Sequence, residues 1–218
     1  ILQEPGRISM IKDKCLLALT VSTLNACSFI SFSDSLPLAQ AAIFGFERDP
    51  ISQSEFDSKE YSFIAVYFKK SPLYTFSLSK VTGTSMKWVG SDGQIIFTDN
   101  GVVTKTLGLD HDYQLLDRVP FDFNTIERGI DDTFFVKYAN PSAIFLYEST
   151  LMFVASESVN LQFQTVNARK YKEMVYIKDL NLNIENFYWV NDQGVTIKAI
   201  QQLNPKMPEM TFEFFYKY

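Results

Sequence analysis

The chain's one histidine, His111, stands between two carboxylates in Leu109-Asp110-His111-Asp112-Tyr113. Those residue types could bind a metal ion or move a proton. Neighbouring side chains on a strand point to opposite faces, however, so adjacency works against convergence on one ion. The stretch reads as an exposed loop. A second acidic pair, Asp131-Asp132, carries the groups of a glycosidase. That chemistry needs two carboxyl groups flanking one bond, which sequence neighbours do not supply. The pair reads as a turn before a strand. No GxSxG elbow, Walker loop or HExxH motif occurs, and a lone histidine in a polar loop makes a poor base for a Ser-His-Asp triad. The expectation is no catalytic residue, no metal ligand and no cofactor. Trp88 and Trp189 are candidates of another kind. Each lies one strand from a glycine-containing turn, and its ring could stack on polysaccharide, touch a partner or fill a core.

The remaining reactive group is Cys27. From Met10 the chain runs through Lys12 and Lys14, a mostly apolar stretch over 15–24, and then Leu24-Asn25-Ala26-Cys27. This order of charge, apolar length and cysteine resembles a bacterial lipobox, whose cysteine becomes lipidated. The apolar stretch is too short to span a bilayer, which takes about 18 residues or more. The expected layout is an upstream segment (1–9), a lipoprotein signal peptide (10–26), a lipidated leader (27–60) and a single β-rich domain (61–218). Cys15, the other cysteine, would leave with the signal, so no internal disulfide is expected. Ser28, rather than Asp, after the cysteine favours the outer membrane. One acyl chain anchors marginally, whereas several hold firmly.

A frame must position these groups. Apolar residues make up 46 % and charged residues 21 % of the chain, the profile of a chain that folds. Twenty Phe and eleven Tyr against nine Gly and eight Pro lean towards strands, because aromatics suit half-buried pleated surfaces. A net charge of −5 lacks the basic footprint of a nucleic-acid binder. Residues 61–68 read as a strand apolar enough to be covered on both faces. Residues 75–81 alternate. Residues 86–109 give three strands broken by Asp92-Gly93 and Asn100-Gly101, dipeptides favoured in type I′ hairpins. Further strands are expected at 133–138, 143–149, 151–156 and 159–166. Residues 173–190 continue the alternation, 195–203 follow a turn, and 210–218 form the last strand. A short helix is expected over 35–46, with Ser35 as its N-cap, and residues 47–60 read as a polar surface connection. Strands and helices do not alternate, which argues against a parallel sheet. The fold class is all-β: a large antiparallel meander sheet curled into a half-barrel, with a short N-terminal helix. So large a sheet must curl or stack to bury its apolar face.

Residues 88–109 resemble the GfcB/YjbF (YmcC-like) family of bacterial lipoproteins. Trp88, the turn Ser91-Asp92-Gly93, Thr98, Gly101, Val103, Thr106, Gly108 and Leu109 stand in the family's order. Val102 stands where the family usually has a basic residue. A second block, residues 188–217, matches at Trp189, Gly194, Val195, Gln201 or Gln202, Pro205 and Pro208. The resemblance implies a half-barrel meander and a non-enzymatic role in secretion or assembly of group 4 capsule or a related exopolysaccharide. It implies bacterial surface polysaccharide as a partner, together with periplasmic and outer-membrane β-barrel secretion proteins. It carries over no catalytic residue. The expectation is a lipid-anchored protein on the periplasmic face of the outer membrane, acting as a binding or scaffolding subunit. The alternatives are a periplasmic carbohydrate-modifying enzyme using Asp131 or Asp132, and a purely structural lipoprotein docked on an outer-membrane barrel.

Overall fold

The alternation along the chain becomes a ring of strands. The computed structural model describes residues 49–69, 71–119, 121–126 and 129–217. Helix α1 (Gln53–Ser58) precedes β1 (Phe63–Phe68), β2 (Tyr74–Thr82), β3 (Ser85–Gly90), β4 (Ile95–Asp99), β5 (Val102–Leu107) and β6 (Tyr113–Leu116). Then follow β7 (Ile130–Tyr138), β8 (Ala143–Asn160), β9 (Thr165–Ile177), β10 (Leu182–Val190), β11 (Thr196–Gln201) and β12 (Met210–Phe215). Consecutive strands pair antiparallel, and β1 also pairs with β12, from Phe63 opposite Phe215 to Phe68 opposite Met210. The sheet therefore curls, as expected, and goes on to close into a barrel, which removes its free edges. The helix expected over 35–46, the signal and Cys27 lie outside the described residues.

Alternation sorts the side chains into two cores. Ile64, Val66, Phe76, Trp88, Ile96, Val136, Tyr188, Phe212 and Phe214 fill the lumen. Phe63, Ala65, Trp189, Ile197 and Phe215 form a second cluster on the outer wall. That second cluster explains why β1 is apolar on both faces. It is covered by Phe56 of α1, whose ring lies 4.9 Å from that of Phe163 in the β8–β9 turn and 6.2 Å from Phe63. Ser52 caps α1 by accepting a hydrogen bond from the Glu55 backbone N–H. This Ser-x-x-Glu start is a helix signal inside the stretch read as a connection. The apolar lumen is the reverse of the polar interior of a transmembrane barrel. Among the described residues no helix is long and apolar enough to cross a membrane.

Two more departures have local causes. Residues 143–160 form one strand rather than several, because polar Glu148, Ser156 and Ser158 stay exposed and leave the ladder intact; a bulge at Phe153–Ala155 resets the register. Residues 161–164, expected within a strand, turn instead, closed by the Leu161 N–H on the Gln164 carbonyl at 2.8 Å. Of the two expected type I′ turns, Asn100-Gly101 has positive φ at both residues (48° and 82°). At Asp92-Gly93 only Gly93 does (82°), and its N–H reaches back to the Gly90 carbonyl.

Candidate functional site

A meander barrel gathers its connections at two ends. The β2–β3, β4–β5, β6–β7, β8–β9 and β10–β11 connections share one end; the β1–β2, β3–β4, β5–β6, β7–β8, β9–β10 and β11–β12 connections share the other, called the mouth.

The first end is plugged. The β6–β7 connection folds inward and buries Phe121, Phe123 and Ile126. The Phe123 ring sits 5.1 Å from Tyr171 and 5.5 Å from Tyr188, and the Tyr171 hydroxyl donates to the Phe123 carbonyl. Arg118 opens the plug. Its guanidinium lies between the Phe121 and Phe134 rings, 4.2 and 4.1 Å from their centroids. It pairs with fully buried Glu173 and, at 3.2 Å, with Asp132. The other Glu173 oxygen accepts from Tyr188 Oη at 2.9 Å and Asn186 Nδ2 at 3.0 Å. Burial by itself would lower the Arg118 pKa, but Glu173, Tyr188 and Tyr113 outweigh it and hold the guanidinium charged. Burial pushes the Tyr113 and Tyr188 hydroxyls well up, so both stay neutral, and that of Tyr188 donates to Glu173. An isolated buried charge is costly; a paired and fully hydrogen-bonded one is tolerated. This cluster holds a loop in place. It leaves no room for a substrate, since the gap beside it is about 10 Å³.

The mouth is open. A hollow of about 430 Å³ lies between β1, β2 and the β3–β4 and β5–β6 turns. Val66, Phe76 and Met210 form a buried apolar floor, and Tyr74, Ser91, Asp92, Gln94 and Asp110 stand at its rim. A second hollow of about 200 Å³, lined by Tyr138, Pro141, Phe145 and Leu180 among others, opens at the same end.

The sequence candidates scatter across this frame. His111 turns outward, its Nδ1 2.9 Å from the Asn140 carbonyl. Asp112 folds back on its own loop and accepts from Gly108 N, Leu109 N and Thr106 Oγ1. Asp110 alone of the three lines the hollow. Asp131 lies outside and accepts from Thr150, while Asp132 faces Arg118. The acidic pair thus divides between the two faces of β7, with different partners, while both residues border one open hollow of about 420 Å³. Among the described residues no cluster of three or more His, Cys, Asp and Glu could hold a metal ion. Trp88 is 0 % exposed and donates to Thr98 Oγ1 at 2.8 Å. Such a ring offers no face to a sugar or partner; of the roles open to it from the sequence, Trp88 takes the place in the core. Trp189 stands on the outer wall, 7 % exposed. Its Nε1 donates to Glu157 at 2.7 Å, and Lys170 and Lys198 lie 5.0 and 5.9 Å from its ring. The Trp189 hydrogen bond, aided by Lys170, holds the Glu157 carboxyl below its ordinary range.

The residues that carried the family likeness are mostly builders. Gly101 adopts φ 82°, and a Cβ there would collide with the Thr196 side chain. Gln201 reaches from β11 to the opposite wall, donating to the Gly101 carbonyl and accepting from Val103 N–H. Gly194, also at positive φ, leaves room for Asn124 of the plug. Arg118, Glu173 and Tyr74 were missed by sequence reading, because single residues inside ordinary strand and loop patterns give no motif.

A family model described as "Group 4 capsule polysaccharide lipoprotein gfcB, YjbF" matches residues 38–215. No curated protein matches the sequence significantly. Among solved structures, the hypothetical lipoprotein YmcC of Escherichia coli (K12) superposes with a TM-score of 0.69 at 18 % identity, over 86 % of this chain and 97 % of that one. An exported protein of Bacteroides fragilis with a YmcC-like fold (TM-score 0.35, 11 % identity, 72 % and 94 % covered) and a lipoprotein of Parabacteroides distasonis (0.34, 8 %, 72 % and 94 %) are more remote. The first of the three shares the fold.

Proposed function

Because the chain belongs to the group 4 capsule polysaccharide lipoprotein family (GfcB, YjbF), we propose that it is a lipid-anchored outer-membrane lipoprotein. It acts at the periplasmic face as a non-enzymatic binding or scaffolding subunit in secretion or assembly of a surface polysaccharide. The observation that supports a binding role over a catalytic one is the division of the acidic groups: Asp131 faces outward, Asp132 is tied to Arg118, and the buried cluster of Arg118 and Glu173 has no space for a substrate. Cys27 is the lipidated residue in this reading, and an outer-membrane β-barrel secretion protein is the partner. Trp189, the tryptophan on the outer wall, is the side chain assigned to that partner.

Deleting the gene and measuring surface polysaccharide tests the role. Loss of surface polysaccharide, restored by the wild-type gene, is the expected result; unchanged polysaccharide overturns it. Cys27→Ser should lose palmitate labelling and fail to restore export, and full labelling of that variant would remove the anchor from the reading.

A further inference from the structure

We propose that the hollow at the barrel mouth is a saccharide subsite that takes an uncharged, hydroxyl-rich sugar unit. The proposal rests on the polysaccharide role above and gives it a place and a chemistry. Sugar rings present two kinds of surface: an apolar C–H face and a belt of hydroxyl donors and acceptors. The hollow offers a match for each. Tyr74 shares the lumen-facing parity of Phe76 in β2 but lies at the strand's mouth end, where it stays 50 % exposed. Its ring, above the floor of Val66, Phe76 and Met210, is a platform for a C–H face, with its hydroxyl left for a polar contact. The volume, about 430 Å³, lies in the range of small-molecule sites, which combine an apolar lining with a few converging polar groups.

The rim groups are free. Among the described residues, the Asp110 carboxylate, the Gln94 side-chain amide and the Tyr74 hydroxyl have no hydrogen-bond or ionic partner, and Asp92 is met only by Ser91 Oγ at 3.4 Å. Two residues beyond Asp110, Asp112 accepts three hydrogen bonds, so the freedom of Asp110 is specific to its place. The backbone leaves room on purpose of shape: a Cβ at Gly90 would stand 3.0 Å from the Phe76 ring and 3.1 Å from Gln94 Oε1.

Charge then selects the sugar. Asp92 and Asp110 are acceptors for hydroxyl donors, and the described lining residues include no lysine or arginine. A uronic acid or phosphate group would meet the like charge of Asp92 and Asp110, a cost that falls as salt screens it. Hydroxyl groups meet no such cost, and a hydrogen bond to a charged acceptor is the stronger kind.

The full chain, purified in detergent, is titrated with neutral tetrasaccharides of glucose, galactose and mannose and with tetrasaccharides of the matching uronic acids, at low and high salt. Saturation-transfer NMR reads binding, and a melting curve accompanies each variant. The expected result is binding of at least one neutral tetrasaccharide at millimolar concentration, weaker binding of its uronate, and a gap between the two that narrows with salt. Tyr74→Ala should weaken the neutral ligand about tenfold without moving the melting temperature. Asp92→Asn with Asp110→Asn should raise uronate binding relative to neutral. No neutral binding, equal uronate binding at low salt, or full binding by a folded Tyr74→Ala variant overturns the subsite. If deletion of the gene abolishes surface polysaccharide and Tyr74→Ala restores it fully, the subsite falls while the export role stands. If deletion changes nothing, the role falls, and binding that Tyr74→Ala abolishes still upholds the subsite.

Discussion

At the plugged end, Glu173 accepts from Arg118, Asn186 and Tyr188; at the mouth, Asp110 accepts from nothing among the described residues. The two ends use the same residue types, carboxylates beside aromatic rings, on the same ring of strands. What differs is closure. The β6–β7 connection is long enough to fold Phe121, Phe123 and Ile126 into the lumen, so every polar group it seals in must be satisfied internally. Of the mouth connections, the β11–β12 one also turns inward and buries Leu203 and Asn204, whereas the β3–β4 and β5–β6 turns stay at the rim of the hollow, where Asp92 and Asp110 face solvent and a ligand can meet them. A carboxylate's role in this protein follows from what covers it.

The sharpest way to break this contrast is Glu173→Ala. It leaves Arg118 buried with only Asp132 as an ionic partner and should cost about 3–5 kcal/mol, read as a large drop in the urea midpoint. A loss below about 1 kcal/mol would mean that water enters the cluster and that the end is not sealed. Phe123→Ala comes next, at about 3 kcal/mol, from the cavity it opens between Tyr171 and Tyr188. Gly101→Ala should follow at about 1–3 kcal/mol, since φ is 82° and the added methyl meets Thr196; thermal melting reads both.

A pH test addresses the lumen itself. The Tyr138 and Tyr147 hydroxyls hydrogen-bond to each other. Burial pushes the Tyr147 pKa up to about 12, and that of Tyr138 is raised too, mainly by burial. A group whose folded pKa is raised gives stability that is complete below the unfolded pKa, about 10 for tyrosine, and lost as pH climbs through the folded value. Stability should therefore hold to about pH 10 and fall between there and about pH 12. Tyr147→Phe should soften that fall and cost about 1 kcal/mol at neutral pH. The smallest effect belongs to the mouth: Tyr74→Ala should change stability by less than about 0.5 kcal/mol. A loss comparable to that of Phe123→Ala would show that Tyr74 is a core residue, and the contrast between the ends would fail.

Much of the wall was legible beforehand. Strict alternation marks β2, and the pair Asn100-Gly101 marks the β4–β5 hairpin, because period two and positive φ are properties of neighbouring residues. β6 was not legible: its four residues follow the loop containing His111 and pair with β5 only at Lys105 opposite Gln114. Helix α1 carried a capping signal in Ser52 and Glu55, but its six residues are too few for an apolar periodicity to show.

The sequence by itself determined most of the strand pattern, the antiparallel all-β class and the family, because each rests on residue order. It also determined that no familiar catalytic motif is present. Only the tertiary structure decided that the sheet closes through β1 and β12, that Trp88 faces inward and Trp189 outward, and that Asp131 and Asp132 part company. Tertiary structure alone also decided that Arg118 meets Glu173, 55 residues away, while Asp110 is left at an open rim. The physical reason is that burial and partnership are properties of closed space. Two carboxylates are alike in a sequence, and they become different only when the ring closes and covers one of them.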